Sequence, residues 1–185
     1  VTATARIPDP ATAAITIPAL DTGRLVLRAP CAADVPVLRA FYASDRSRFV
    51  GGPKSAEDSW RQLATEIGHW ALRGYGRWIV EEKATGRAAG LVGLWNPDGW
   101  PEPEIGWDLF EGFEGKGYAT EAAAAARDHA YGVLGWPTAI SLVNPANTAS
   151  ARVAERLGAT PEKTVELARF GTVIIYRHPG PAGVR

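Results

Sequence analysis

The sequence predicts one α/β domain, a mixed sheet with helices packed on its faces. Three observations predict it. Two stretches with helical spacing lie between residues 33 and 70, and three strand-like runs follow between Arg77 and Phe110. A glycine-rich turn then opens a long helix, after which strand, helix and strand signals alternate to residue 177. Strands joined by short turns run antiparallel and strands joined through a helix run parallel. The sheet should therefore be antiparallel early and parallel around the long helix.

In chain order, Leu25-Val26-Leu27-Arg28 alternates as a short strand does, and Pro30 ends it. Ala33 to Tyr42 carries Val35, Leu38, Phe41 and Tyr42 on one side of a helix. A second helix follows Ser55, with Trp60, Leu63, Ile67 and Trp70 on a stripe, and Ser55-x-x-Asp58 resembles a capping box. Arg77 to Glu82 and Ala88 to Trp95 are strands joined by Lys83-Ala84-Thr85-Gly86. Beyond the Pro- and Gly-rich loop from Asn96 to Pro103, Glu104 to Phe110 is the next strand. Thr120 to Leu134 is a helix, supported by five consecutive alanines at 122–126. Ala139 to Val143 is a short strand, Thr148 to Leu157 a helix closed by Gly158, and Leu167 to Arg177 a strand pair or one long strand. Val1 to Asp21, rich in Ala, Thr and Pro, is expected as an arm, residues 22–178 as the domain and 179–185 as a tail.

Composition narrows the function. The 185 residues suit one domain, and 20 basic against 20 acidic residues give a net charge of zero. That speaks against a broad electrostatic grip on nucleic acid or an anionic membrane. No apolar run approaches the roughly 20 residues of a membrane span. Arg6 is followed by Pro8, Asp9 and Pro10, unlike a secretory signal. The lone Cys31 cannot form an internal disulfide and fits a reducing cytoplasm. His69, His129 and His178 are scattered without ligand spacing, so no metal is expected.

The chemistry concentrates in Leu109-Phe110-Glu111-Gly112-Phe113-Glu114-Gly115-Lys116-Gly117-Tyr118-Ala119-Thr120-Glu121-Ala122. A strand runs into a glycine-rich turn that opens a helix. The first amides of a helix have no partner within it and lie at its positive end, a setting suited to phosphate. Gly115 and Gly117 permit close backbone approach. A plain strand–turn–helix connection is the bland alternative. Gly117 after Lys116 rules out a Walker A loop, and Thr120 breaks the dinucleotide pattern G-x-G-x-x-G.

Gly115-Lys116-Gly117-Tyr118-Ala119-Thr120 resembles the acetyl-CoA loop of GNAT acetyltransferases, whose pattern is Q/R-x-x-G-x-G/A. Glu104-Ile105-Gly106-Trp107-Asp108-Leu109 is similar to the preceding strand in the branch of ribosomal-protein N-terminal acetyltransferases. Asn144 to Ala159 resembles that family's N-x-x-S-x-x-V-x-x-x-L-G segment, and Thr22 to Arg28 its first strand. The resemblance spans about residues 22 to 178. It implies a GNAT fold, with a mixed, largely antiparallel sheet of six or seven strands and about four helices. It also implies acetyl transfer from acetyl-CoA to an amine, with no metal.

The site residues follow from that resemblance. Leu109 and Phe110 would hold the thioester end, a backbone N–H polarising its carbonyl, and Gly115, Lys116, Gly117, Tyr118, Ala119 and Thr120 the pyrophosphate. Ser150 matches the serine near the cofactor sulfur and would protonate the departing thiolate; its alternative is a first-turn helix serine. Asn147 would bond the pantetheine arm, and also suits a helix N-cap. Glu114 stands where the family prefers Gln or Arg, a mild repulsion that Lys116 is placed to offset.

An amine must lose a proton before it attacks. Glu104, at the start of the motif strand, is the base candidate, against a solvent-facing glutamate. Asp108 shares its strand face and would assist or bind a cationic acceptor, although solvated surface is the commoner role. Trp95, Trp100 and Trp107 bracket the loop where an acceptor would enter, by cation–π attraction or as plain packing. The acceptor is open between a protein N-terminus and a small amine, and the oligomeric state is open, a homodimer included. A non-catalytic acyl-CoA sensor or partner subunit is the second reading, favoured by Glu114; nucleotide hydrolysis is a poor third.

Overall fold

The computed structural model describes residues 15–183. Eight strands form one sheet in the order β1-β2-β3-β4-β5-β6-β8-β7. They are β1 (Leu20–Asp21), β2 (Leu25–Arg28), β3 (Arg77–Glu82), β4 (Arg87–Trp95), β5 (Glu104–Leu109), β6 (Ile140–Val143), β7 (Thr160–Leu167) and β8 (Gly171–Arg177). Four helices accompany them: α1 (Val35–Ala43), α2 (Ala56–Arg73), α3 (Tyr118–Gly132) and α4 (Thr148–Arg156). No helix among the described residues is long and apolar enough to cross a membrane.

The sheet is mixed as expected, and it holds eight strands rather than six or seven. The extra strands have physical causes. Leu20 and Asp21, within the segment expected as an arm, pair antiparallel with Leu27 and Val26; residues 1–14 lie outside the described residues. β7 begins at Thr160, well before the expected Leu167. It is an edge strand exposed along most of its length, so it carries Pro161, Glu162 and Lys163 and lacks apolar alternation. β7 and β8 form the strand pair, with their turn at residues 168–170.

β4 is buried on both faces from Ala89 to Leu94, which is why it reads as a continuous apolar run. Against it lies α3, whose Ala122, Ala123, Ala126 and Ala130 are fully buried. Alanine there lets the helix approach closely. α2 is capped by Ser55, whose side chain accepts from the Asp58 amide; Asp58 accepts from the Ser55 hydroxyl rather than its amide, so the box is half made. α3 starts at Tyr118, two residues before the expected start, with Gly117 as a left-handed N-cap. That shift decides which amides face the site.

β5 and β6 are the parallel pair, and they pair at a single position, Glu104 with Ile140. Beyond it they diverge, and the wedge between them is the site.

Candidate active site

The wedge is held open by side chains. The Leu142 amide donates to Glu104 Oε1 at 3.1 Å, and the Ser141 hydroxyl donates to the Ile105 carbonyl at 2.6 Å. With its own hydrogen directed at that carbonyl, the Ser141 oxygen is left to accept from Nε2–H of buried His178 at 2.9 Å. Successive residues of a strand turn their backbone groups to opposite neighbours. The Pro103 carbonyl accepts from the Ile140 amide on the β6 side, whereas the Phe110 amide donates to Ala89 on the β4 side. By that alternation Ile105, Trp107 and Leu109 face β6, and past Ile105 no β6 backbone meets them. A cavity of about 960 Å³ occupies the gap.

One end of the cavity is the glycine-rich turn. Gly115 and Gly117 take φ of 72° and 80°, values that L side chains rarely adopt, and no atom lies within 4 Å of where a Gly115 Cβ would stand. The amides of Tyr118, Ala119 and Thr120 form the first turn of α3 without a side-chain cap or any partner among the described residues. Thr120 Oγ1 is buried and also without a partner. Unmet donors gathered at a helix N-terminus fit a diphosphate. The turn is braced from behind by Arg24, just ahead of β2, which donates to the Lys116 carbonyl at 2.9 Å and to Glu121 at 2.7 Å.

Two residues expected around this end do not face the cavity. Phe110 is buried in the core, and its amide is committed to Ala89, so the N–H that can polarise a carbonyl in the gap is that of Leu109. The Lys116 ammonium lies 3.5 Å from Glu82 and over the Phe113 ring, turned away from the cavity. Lys116 therefore does not offset Glu114. Arg46 does: it makes an ion pair with the Glu114 carboxylate and also donates to the Leu109 carbonyl at 3.2 Å.

Midway along the cavity lie Trp107, Ser150 and Asn147. Asn147 caps α4, its Oδ1 accepting from the Ser150 amide at 3.1 Å, which leaves its NH₂ free to donate. Trp107 Nε1–H donates to Ser150 Oγ at 3.0 Å. The Ser150 oxygen is thus engaged as acceptor, and its own hydrogen is left to point elsewhere.

The other end is built from charged and aromatic side chains. Glu104 is buried, not solvent-facing, and accepts from Trp100 Nε1–H at 2.7 Å as well as from Leu142. Burial pushes its carboxyl up to about 7 against those hydrogen bonds and the nearby charge of Arg77. Asp108 is buried too, which removes the solvated-surface reading. Its Oδ2 accepts from Arg77 at 2.8 Å, and Arg77 also grips the fully buried Glu66 of α2. Burial raises Asp108 above the usual carboxylate range, with Arg77 opposing. Trp95 stacks on His69 at 4.5 Å, and the Arg77 guanidinium lies 5.1 Å from its ring centre. An internal cation thus already sits over Trp95, and Trp100 is the expected aromatic in contact with Glu104.

Ser150, Asn147, Glu104, Asp108 and the three tryptophans all border one cavity. Sequence reasoning missed Arg77, Glu66, Arg46 and Arg24. Their partners lie 11 to 97 residues away along the chain, and no local pattern marks them.

Residues 24–160 match the sequence pattern of the acetyltransferase (GNAT) domain. An acetyltransferase from Agrobacterium tumefaciens str. C58 is 40% identical, with a TM-score of 0.82 over 89% of this chain and 95% of that one. RimL, a ribosomal L7/L12 alpha-N-protein acetyltransferase in complex with coenzyme A, is 21% identical with a TM-score of 0.74 over 89% of this chain and 99% of its own, a likeness of fold. The uncharacterized protein YkkB of Bacillus subtilis (strain 168) is 36% identical over 97 residues, which are 50% of this chain and 56% of that protein. The match thus spans little more than half the length of that curated relative.

Proposed function

The chain belongs to the GNAT acetyltransferase family, and on that premise we propose that it moves an acetyl group from acetyl-coenzyme A to a primary amine held in the same cleft. The single observation that carries the reading is the exposed edge of β5. It leads from the partnerless amides at the start of α3, along Leu109 and Trp107, to the buried carboxylate of Glu104.

Acetyl-coenzyme A would supply the activated acetyl thioester. The amides of Tyr118, Ala119 and Thr120 and the Thr120 hydroxyl would hold its diphosphate. The Asn147 NH₂ and the β5 backbone would hold the pantetheine arm. The Leu109 amide is the donor available to polarise the thioester carbonyl, a contribution of about 3 kcal/mol.

Glu104 takes the proton that the ammonium group must lose. A carboxyl near 7 is well matched to the task, since at neutral pH it is partly ionised and still basic. As the pH falls through that value the carboxylate is protonated and the base is lost. Trp107 orients Ser150, so that its hydroxyl hydrogen is free to be given to the departing sulfur. Direct transfer in a ternary complex needs no covalent enzyme intermediate, and the exposed Cys31 lies outside the cavity.

Glu114 is the residue that favours a non-catalytic acyl-CoA sensor. Its pairing with Arg46 weakens that reason, because the ion pair tempers repulsion toward a diphosphate. Free-thiol release from acetyl-CoA with a panel of amines tests the proposal. Amine-dependent release is expected; tight coenzyme binding with no release for any amine would favour the sensor.

A further inference from the structure

Three cations gather where the acceptor must sit, and they are not matched alike. Arg77 has two carboxylates, Glu66 and Asp108. Lys54, half-buried beside α2, donates to the neutral amide oxygen of Gln62 at 2.6 Å and lies 4.2 Å from the centre of the Tyr42 ring. Arg169, at the turn between β7 and β8, packs over Phe170 at 5.6 Å and has no ion pair among the described residues. Arg169 is exposed, yet a Cβ on Gly51 would stand 3.6 Å from its Nε, so the turn reaches across to the segment after α1. Arg169, Phe170, Gln62 and Tyr42 all border the same cavity as Glu104 and Trp100.

One cation, Arg169, thus borders this space with only an aromatic ring in contact, and a second, Lys54, lies just behind its wall on Gln62 and Tyr42. Their repulsion is felt: burial first, then the charge of Arg169 and that of Arg77, bring Lys54 down to about 8, outweighing the opposite pull of Asp108 and Glu66. Were Lys54 there to balance those two carboxylates, its ammonium would be strengthened. Arg77 already holds both.

We infer that the acceptor is an amine that also carries an anionic group, a carboxylate or a phosphonate-like oxyanion, seated against Arg169 with the charge of Lys54 close behind, while its amino group meets Glu104. The inference rests on the transferase reading and narrows it to a substrate class. Guanidinium and ammonium together suit such an anion, the first through its planar fork and the second as a point charge. The anion would relieve the repulsion between them, and Phe170 and Trp100 would cover the carbon chain that joins the two ends. No proton or bond is exchanged at this subsite; its work is to bind and to orient.

The test is thiol release, at saturating acetyl-CoA, with matched amines that differ in the anionic group. α-Amino acids are set against their carboxamides, and aminoalkylphosphonates against plain alkylamines. The anionic member of a pair is expected to win in kcat/KM by about 10- to 100-fold, the range of a hydrogen bond to a charged group. The pair showing the larger gap identifies the oxyanion. Arg169→Ala and Lys54→Met should each narrow the gap chiefly through KM, and Arg169→Lys should restore part of it. Equal use of both members, or a preference for an amidated peptide with a free amino terminus and no acidic side chain, overturns the inference and leaves the transferase intact. Release with no amine at all overturns both.

Discussion

The two ends of the cleft solve recognition with different materials. At the loop end the groups that would hold a diphosphate are main-chain amides of consecutive residues, Tyr118 to Thr120, presented by a helix that starts on a left-handed glycine. At the acceptor end the groups are side chains, Glu66 from α2, Arg77 from β3, Glu104 and Asp108 from β5 and Arg169 from the β7–β8 turn. The first depends on backbone geometry and tolerates changes of side chain around it. The second depends, apart from the exposed Arg169, on charges that are buried together, so each holds its neighbours in place. Substitutions should therefore be costly at the acceptor end and mild at the loop end, except where they alter the backbone itself.

The largest effect is expected at the base. Glu104→Gln keeps an acceptor for the Leu142 amide but cannot take a proton, and should lower kcat by about 10²–10⁴-fold near neutral pH. The parent's kcat/KM should rise with pH through the inflection of Glu104 near 7, and that inflection should vanish in the variant. A retained inflection would move the base elsewhere.

Next comes Arg77→Leu, which strands Glu66 and Asp108 in the interior. Breaking a buried pair by removing one partner costs about 3–5 kcal/mol, readable by urea denaturation. Without Arg77 the burial of Asp108 is no longer opposed and its carboxyl rises further in the folded chain, so ionising it opposes folding, and the deficit should shrink as the pH is lowered. A deficit independent of pH would mean that lost packing, not charge, is responsible.

At the loop end, Gly117→Ala places a Cβ on a residue with φ of 80° and should cost about 1–2 kcal/mol, seen as weaker coenzyme binding by calorimetry. Glu114→Gln frees Arg46 and removes a negative charge, so coenzyme binding should tighten several-fold and become more salt-dependent. Lys116→Ala should do least, because its half-exposed pair with Glu82 faces away from the cavity and is worth under about 1 kcal/mol. A large loss there would place the Lys116 ammonium on the ligand after all.

The same division explains what could be read from the sequence. Strands β3 and β5, helices α2 to α4 and the glycine turn are announced by local signals, apolar period, caps and glycines, and they lie within a few residues of where those signals put them. β7 escaped because an exposed edge strand needs no apolar alternation. β1 escaped because two residues carry no period at all. Glu104, Ser150 and Asn147 were singled out as candidates through motif segments, whereas nothing local couples Arg77 to Asp108 or Arg46 to Glu114. Burial alone changed the reading of Asp108, from a solvated face to part of an interior ion-pair network. Charge partnerships of that kind are fixed by the fold, and they become visible only when distant segments meet.

One consequence of the uncapped start of α3 can be followed without any substrate turnover. An amide hydrogen with no acceptor has nothing to break before it swaps with deuterium, so Tyr118, Ala119 and Thr120 should label ahead of the remaining turns of their helix. Filling the site would give those three hydrogens acceptors. Their slowing, read residue by residue, would report occupancy directly and leave the labelling of β2 and β3 as an internal clock.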